Sequence, residues 1–290
     1  MGMKNISIIF TSIFLESLPF LLLGSIISAI IEEYVSNEKI AKIIPKNKIL
    51  GSIVGIFLGF FIPACDCAVI PITKRLIKKD VPINVSVSFM LASPIINPVV
   101  LLSTYYAFYK TNPDIFFYRI IFGIIIALLV GIFMGIIYND DKVIVSDKDS
   151  CHCHNHSKKR FISIMKHTGN DLYDVVKYLI IGALIASVIQ VVLPKELFNT
   201  FNNNQILSII TLMVFAYLIS LCSTSDSFVG KSLLSSFSKS SVIAYLLLGP
   251  MIDIKNTFVL LGNYKKSFVF TLITFIFIVT FIFSYLVVMI

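Results

Sequence analysis

Residues 50–73 read LGSIVGIFLGFFIPACDCAVIPIT. Cys65 and Cys67 flank Asp66, and Pro63 and Pro71 stand on either side of the triplet. Two soft ligands, a carboxylate and two helix breakers thus interrupt an apolar run. On a continuous helix, side chains at i and i+2 point apart. On an extended segment they point the same way. The prolines favour an unwound stretch, which would turn both thiols to one side. Paired thiolates there suit Cu(I), Zn(II) or a trivalent arsenical. The alternative is that each cysteine is simply a small buried hydrophobe.

A second thiol, Cys222, lies in LCSTSDSF, a polar interruption of another apolar run. If the two interruptions face each other, Cys65, Cys67 and Cys222 converge. Its Ser, Thr and Asp neighbours read equally as helix caps. Two further breaks carry Ser93-Pro94-Ile95-Ile96-Asn97-Pro98 and Gly249-Pro250-Met251-Ile252-Asp253. Proline in a membrane helix frees carbonyls, which is tolerated where they line a cavity or find neighbours. Asn97 and Asp253 then supply polar contacts to a pathway, or serve packing and the membrane surface. Glu16 falls about ten residues into the first apolar run, roughly 15 Å deep at the helical rise. A lipid-facing carboxylate there would cost about 2.5 kcal/mol or more. Glu16 is therefore expected to face the protein interior, as a candidate proton-coupling group.

Between the halves stands Cys151-His152-Cys153-His154-Asn155-His156. Cys151, His152, Cys153, His154 and His156 are zinc and copper ligand types, too tightly spaced for a zinc finger. A transient Zn or Cu at this loop is the metal expected. No resident cofactor is required.

These residues need apolar elements to position them. The chain has 290 residues, 57% hydrophobic, with a mean hydropathy of +0.91. Only 14% are charged, against about 25% in soluble domains. Apolar runs near 6–31, 49–64, 82–109, 115–138, 171–194, 205–222, 241–262 and 267–290 approach the roughly 20 residues of a bilayer span. The expected fold is an all-α polytopic membrane protein of about eight helices. Residues 68–77 and 226–237 follow two of the breaks as re-entrant or amphipathic pieces.

The halves resemble each other. Glu16 and Gly24 match Asp174 and Gly182 at an offset of 158, and Cys65, Lys74 and Leu76 match Cys222, Lys231 and Leu233 at 157. Ser93-Pro94 and Asn97 match Gly249-Pro250 and Asp253 at 156. Matches in order at a near-constant offset point to two internal repeats with broken helices at their interface. Whether the repeats run parallel or inverted stays open. The division expected is 1–138 for the first membrane repeat, 139–168 for a Cys/His-containing linker and 169–290 for the second repeat. A weak excess of Lys and Arg favours a cytoplasmic position for both termini and the linker. The +8 net charge belongs to membrane topology, so no nucleic-acid partner is expected. The bilayer and a small thiophilic substrate are, and an oligomer stays open. No Walker element or nucleophile–base signature is present, so the chain reads as a transporter rather than an enzyme.

FIPACDCAVIPITKRL, FMLASPIINPVVLLST, CSTSDSFV and LLLGPMIDIKN together resemble the predicted-permease family that includes the organoarsenical efflux permease ArsP. The likeness covers most of the chain. It implies an inner-membrane permease of about eight spans that exports trivalent methylated and aromatic arsenicals from the cytoplasm. It also implies that Cys65 and Cys67 correspond to the family's thiol motif and Cys222 to the matching second-half motif. The Cys/His loop is instead similar to a sister group associated with copper and zinc export. Asp66 stands where the motif more often has a small residue. Three readings follow: metalloid efflux, Cu/Zn efflux through the same pathway, and a membrane thiol redox protein or metal sensor.

Overall fold

The computed structural model describes residues 2–34, 45, 47–62, 65–138, 143–144, 157–192 and 204–289. Pro63 and the cluster at 151–156 lie outside them. The described chain is helical, apart from one isolated bridge between Ile144 and Tyr264. It is an all-α, multi-pass membrane protein.

The first half runs α1 (Gly2–Tyr34), α2 (Lys48–Phe61), α3 (Asp66–Lys78), α4 (Ile83–Ile96), α5 (Pro98–Phe108) and α6 (Asp114–Ile137). The second runs α7 (Ser157–Val192), α8 (Gln205–Ile219), α9 (Ser225–Leu233), α10 (Lys239–Met251), α11 (Ile254–Asn263) and α12 (Lys266–Met289). By length and composition, five stretches can cross a bilayer: Lys4–Ile31, Asp114–Ile137, Val175–Val192, Lys239–Asn263 and Lys266–Met289. The pair α4 and α5, bent by 40°, is a sixth when counted as one broken span. The expected second and sixth spans are the short helices α2 and α8, of 14 and 15 residues. At 1.5 Å per residue they cover only about 21–23 Å of a roughly 30 Å core. Each is followed by a short helix, α3 or α9, at the places expected for half-helices.

Helix starts and stops follow local chemistry. Asn47 caps α2 by accepting from Ile49 N at 3.1 Å. Asn97 caps α5 from Val99 N at 3.0 Å, with Pro98 at the first helical position where its missing N–H costs nothing. Asp253 caps α11 from Asn256 N at 2.6 Å. Pro71, Pro94 and Pro250 sit inside α3, α4 and α10. Pro71 was expected to break its segment and does not; it stands inside α3, where it removes one hydrogen bond to the carbonyl one turn back and crowds that carbonyl.

Packing fixes helix direction. Gly51, Gly55 and Gly59 form a small-residue stripe on α2 that meets Asn84, Val85 and Ser93 in order along α4, so α2 and α4 run side by side in the same sense. Such stripes let backbones approach where lipid offers no hydrophobic drive. On α8 and α10, Ser208 meets Ser241 and Phe215 meets Tyr245, again in the same sense. Helix α6 runs against α12, with ring contacts Tyr138–Phe268, Phe133–Phe275 and Phe122–Phe283. It also runs against α4, where Gly123 faces Ile95 and Gly135 faces Asn84. The first residues of α6 and α10 meet through Asp114 and Lys239 at 2.9 Å. Hence α4 and α10 point in opposite directions, as do α6 and α12. Ser17, Gly24 and Ser28 of α1 meet Cys67, Ala68 and Pro71 in order, so α1 parallels α3. Helix α7 opposes α11, with Gly182 against Lys255 and Tyr178 against Gly262.

Candidate substrate site

Cys65 is the residue before α3, extended at φ −75° and ψ 168°. Asp66 and Cys67 occupy the first helical turn. The unwound stretch expected across the triplet is thus confined to its first residue. The bend at that residue brings the two thiols within hydrogen-bonding reach of each other. Cys67 is buried and Cys65 half-buried, and both are free thiols, as is the half-buried Cys222. A helix N-terminus favours negative charge beside it, which suits sulfur that reacts as thiolate.

Cys65, Asp66, Cys67 and Cys222 line one narrow pocket together with Glu16, Ser17, Ser220 and Lys255. Its wall therefore comes from α1, the start of α3, the end of α8 and α11. Ser17 Oγ lies 3.9 Å from Cys67 Sγ. Ser220 ends α8 in the left-handed conformation, φ 52° and ψ 47°, which a serine adopts at a cost. That turn sets Cys222 on the pocket side, and Lys255 N reaches Ser220 Oγ at 3.5 Å.

Lys255 is the residue that sequence reading missed. It is 3% exposed, with Nζ 3.4 Å from Asp66 Oδ2 and 3.5 Å from Asp253 Oδ2. Asn256 Nδ2 donates to Asp66 Oδ2 at 2.8 Å. The signal available was a lysine two residues after a break inside an apolar segment, since an unpaired cation there is costly. Asp253 is not among the residues lining the pocket and meets it only through its contact with Lys255. Asn97 caps α5 and is not among the residues lining the pocket. Glu16 lines the pocket, yet it is exposed rather than sealed in the interior as expected. Among the described residues, no group of three or more His, Cys, Asp or Glu side chains is arranged to hold a metal ion. The ligand types at Cys151, His152, Cys153, His154 and His156 lie outside the described residues.

A multi-pass helical protein with broken helices around a polar, thiol-lined pocket has the build of a membrane permease. Residues 3–289 match a family described as a predicted permease, ArsP_1, and the chain belongs to that family. It is 40% identical over 270 residues to the UPF0718 protein YcgR of Bacillus subtilis, covering 92% of each chain. It is 38% identical over 265 residues to a Streptococcus mutans protein named "Putative two-component membrane permease complex subunit", covering 90% of this chain and 87% of that one. A weaker likeness, 25% over 151 residues, links it to the UPF0718 protein MJ0584 of Methanocaldococcus jannaschii, covering 51% of this chain and 35% of that one. No solved structure matches.

Proposed function

We propose that this permease exports a small thiophilic metalloid species of the trivalent organoarsenical kind. The observation that supports this most is the meeting of Cys65, Cys67 and Cys222, from both halves, on one pocket. Thiols exchange onto a soft electrophile through thiolate, so the substrate would pass from one sulfur to the next. Asp66 already has a partner in Lys255. Its charge is thus largely spent within the protein, which favours a neutral substrate over a bare cation. Asn97 and Asp253 shape the route by capping the half-helices α5 and α11, and Glu16 is a candidate for proton exchange at the pocket.

The helix directions support a pair of inverted repeats, each with three crossings and one hairpin that enters and leaves on the same face. In this reading α2–α3 and α8–α9 are the hairpins, entered from opposite faces. The central linker lies opposite both termini, a departure from the arrangement expected from sequence. Fourteen Lys and Arg then fall in the loops and helix ends of the linker's face, against five on the other. By the positive-inside rule the linker's face is cytoplasmic. The thiol pair sits on the hairpin entered from that side, as capture for export requires. Alternating exposure would follow from rocking one repeat against the other.

The Cys/His run at 151–156 favours a second reading, Cu(I) or Zn(II) export along the same path. The name of the Streptococcus mutans relative adds a companion subunit as a further proposal. Everted vesicles containing this chain should accumulate methylarsenite, and Cys65→Ser combined with Cys67→Ser should abolish that accumulation. Equal transport by the double variant would refute the thiol route. Accumulation of Zn(II) or Cu(I) instead, lost on deleting 151–156, would select the second reading.

A further inference from the structure

A second buried polar cluster lies beside the thiol pocket and forms no part of its lining. Asp226 is in the first turn of α9 and is 2% exposed. Arg119 of α6 and Tyr245 of α10 are 0% and 1% exposed. Tyr245 Oη donates to Asp226 Oδ1 at 3.0 Å. Arg119 Nη1 donates to Thr104 Oγ1 and Ser227 Oγ, both at 2.8 Å, and Nη2 to the Ser223 carbonyl at 3.3 Å. Among the described residues, Arg119 Nε and Asp226 Oδ2 have no hydrogen-bond partner.

The guanidinium is therefore held by hydroxyls and a carbonyl, while the carboxyl keeps one bare oxygen against Gly249. As an anion, Asp226 would bury that oxygen uncompensated; as a neutral acid it loses far less. The positive charge of Arg119 and the Tyr245 hydroxyl nevertheless support the anion once the proton leaves. Both protonation states are thus accessible at one buried site. The charged and titratable groups that act on it are Arg119 from α6, Tyr245 from α10, and, at longer range, Asp66 of α3 and Asp253 before α11.

The site is joined to the thiol pocket by a single turn. Asp226 N donates to the Cys222 carbonyl at 2.9 Å, and the Cys222 thiol lines the pocket. A carboxylate drawn toward Arg119 would pull on that turn, and on Cys222 with it.

We propose that Asp226 is the proton-binding residue that couples export to the proton gradient, an inference that rests on the exporter reading above. The hairpin carrying it is entered from the face opposite the linker. A proton from the outer water forms the O–H bond on Asp226, that bond breaks toward the cytoplasm, and the soft substrate moves outward in exchange. No electrons are transferred.

Two measurements test this. Infrared difference spectra of the full chain in lipid, taken across pH, should show the carbonyl stretch of a protonated carboxylic acid. That band should vanish in Asp226→Asn and persist in Glu16→Gln. In Tyr245→Phe, which keeps the carboxyl but removes its donor, it should persist to higher pH. In proteoliposomes with an imposed pH gradient, the parent should accumulate methylarsenite at least tenfold above the no-gradient level, and Asp226→Asn should show no difference between the two conditions. A band retained in Asp226→Asn, or gradient-driven accumulation equal to the parent, overturns the proposal. A band lost in Asp226→Asn while no variant moves methylarsenite, Cu(I) or Zn(II) supports the proton site and sinks the exporter reading instead.

Discussion

Lys255 Nζ lies 3.4 Å from Asp66 Oδ2, so a lysine from the second half neutralises the carboxylate between two thiols of the first. Asp253 shares the same ammonium at 3.5 Å. Removing one partner of a buried pair leaves the other uncompensated, typically at about 3–5 kcal/mol. Lys255→Met should therefore lower the thermal midpoint of a fluorescent-protein fusion followed by size-exclusion chromatography. Adding Asp66→Asn to it should recover part of the loss. An unchanged midpoint in Lys255→Met would show that the triad carries no net stability.

Much of this site was legible in the sequence. The prolines and their polar neighbours marked each interruption, and Asn97 and Asp253 do begin new helices there. The short apolar runs before Cys65 and Cys222 also pointed to the half-helices α3 and α9. Lys255 and Arg119 were not found, because the partners that tie each to the other half of the chain lie more than a hundred positions away (Asp66 for one, Ser223 and Ser227 for the other). Periodicity and spacing carry no record of such pairings. Helices α2 and α8 end three residues short of the apolar runs expected at 49–64 and 205–222, because the break stops the helix before the run ends.

Gly182 makes room for the backbone that carries Lys255. A Cβ built there would stand 2.9 Å from Lys255 Cα and 2.9 Å from its carbonyl oxygen. Gly182→Ala should destabilise the fold by about 1–3 kcal/mol through overpacking. Gly169, on the same helix, has none of the described residues within 4 Å of a Cβ built there. Gly169→Ala should be neutral or gain up to about 1 kcal/mol from helix propensity. Equal midpoints for the two variants would argue against a tight contact between α7 and α11.

Asn97 accepts from Val99 N at the start of α5. Asn97→Ala should cost about 1 kcal/mol of stability, and Asn97→Ser, which keeps a capping oxygen, should lose only a fraction of that. If methylarsenite transport falls in both variants while stability holds, the side chain touches substrate instead of serving the cap.

The inverted arrangement predicts where the chain ends lie. A fluorescent protein that folds only in the cytoplasm should be bright when inserted near residue 150 and dark when fused after Ile290. Alkaline phosphatase, active only outside, should give the reverse pattern. Bright fluorescence at both positions would restore the arrangement with termini and linker on one face.

The pairing of Asp66 with α11 also bears on how the chain is made. Asn256 follows Asp66 by 190 residues. At translation rates of roughly 5–20 residues per second, those partners emerge some 10–40 s later. Until then the nascent first half carries a carboxylate that lipid does not accommodate cheaply. The segment beginning at Asp66 would therefore have to wait in water or in the insertion machinery, and it can seat fully only once α11 has emerged.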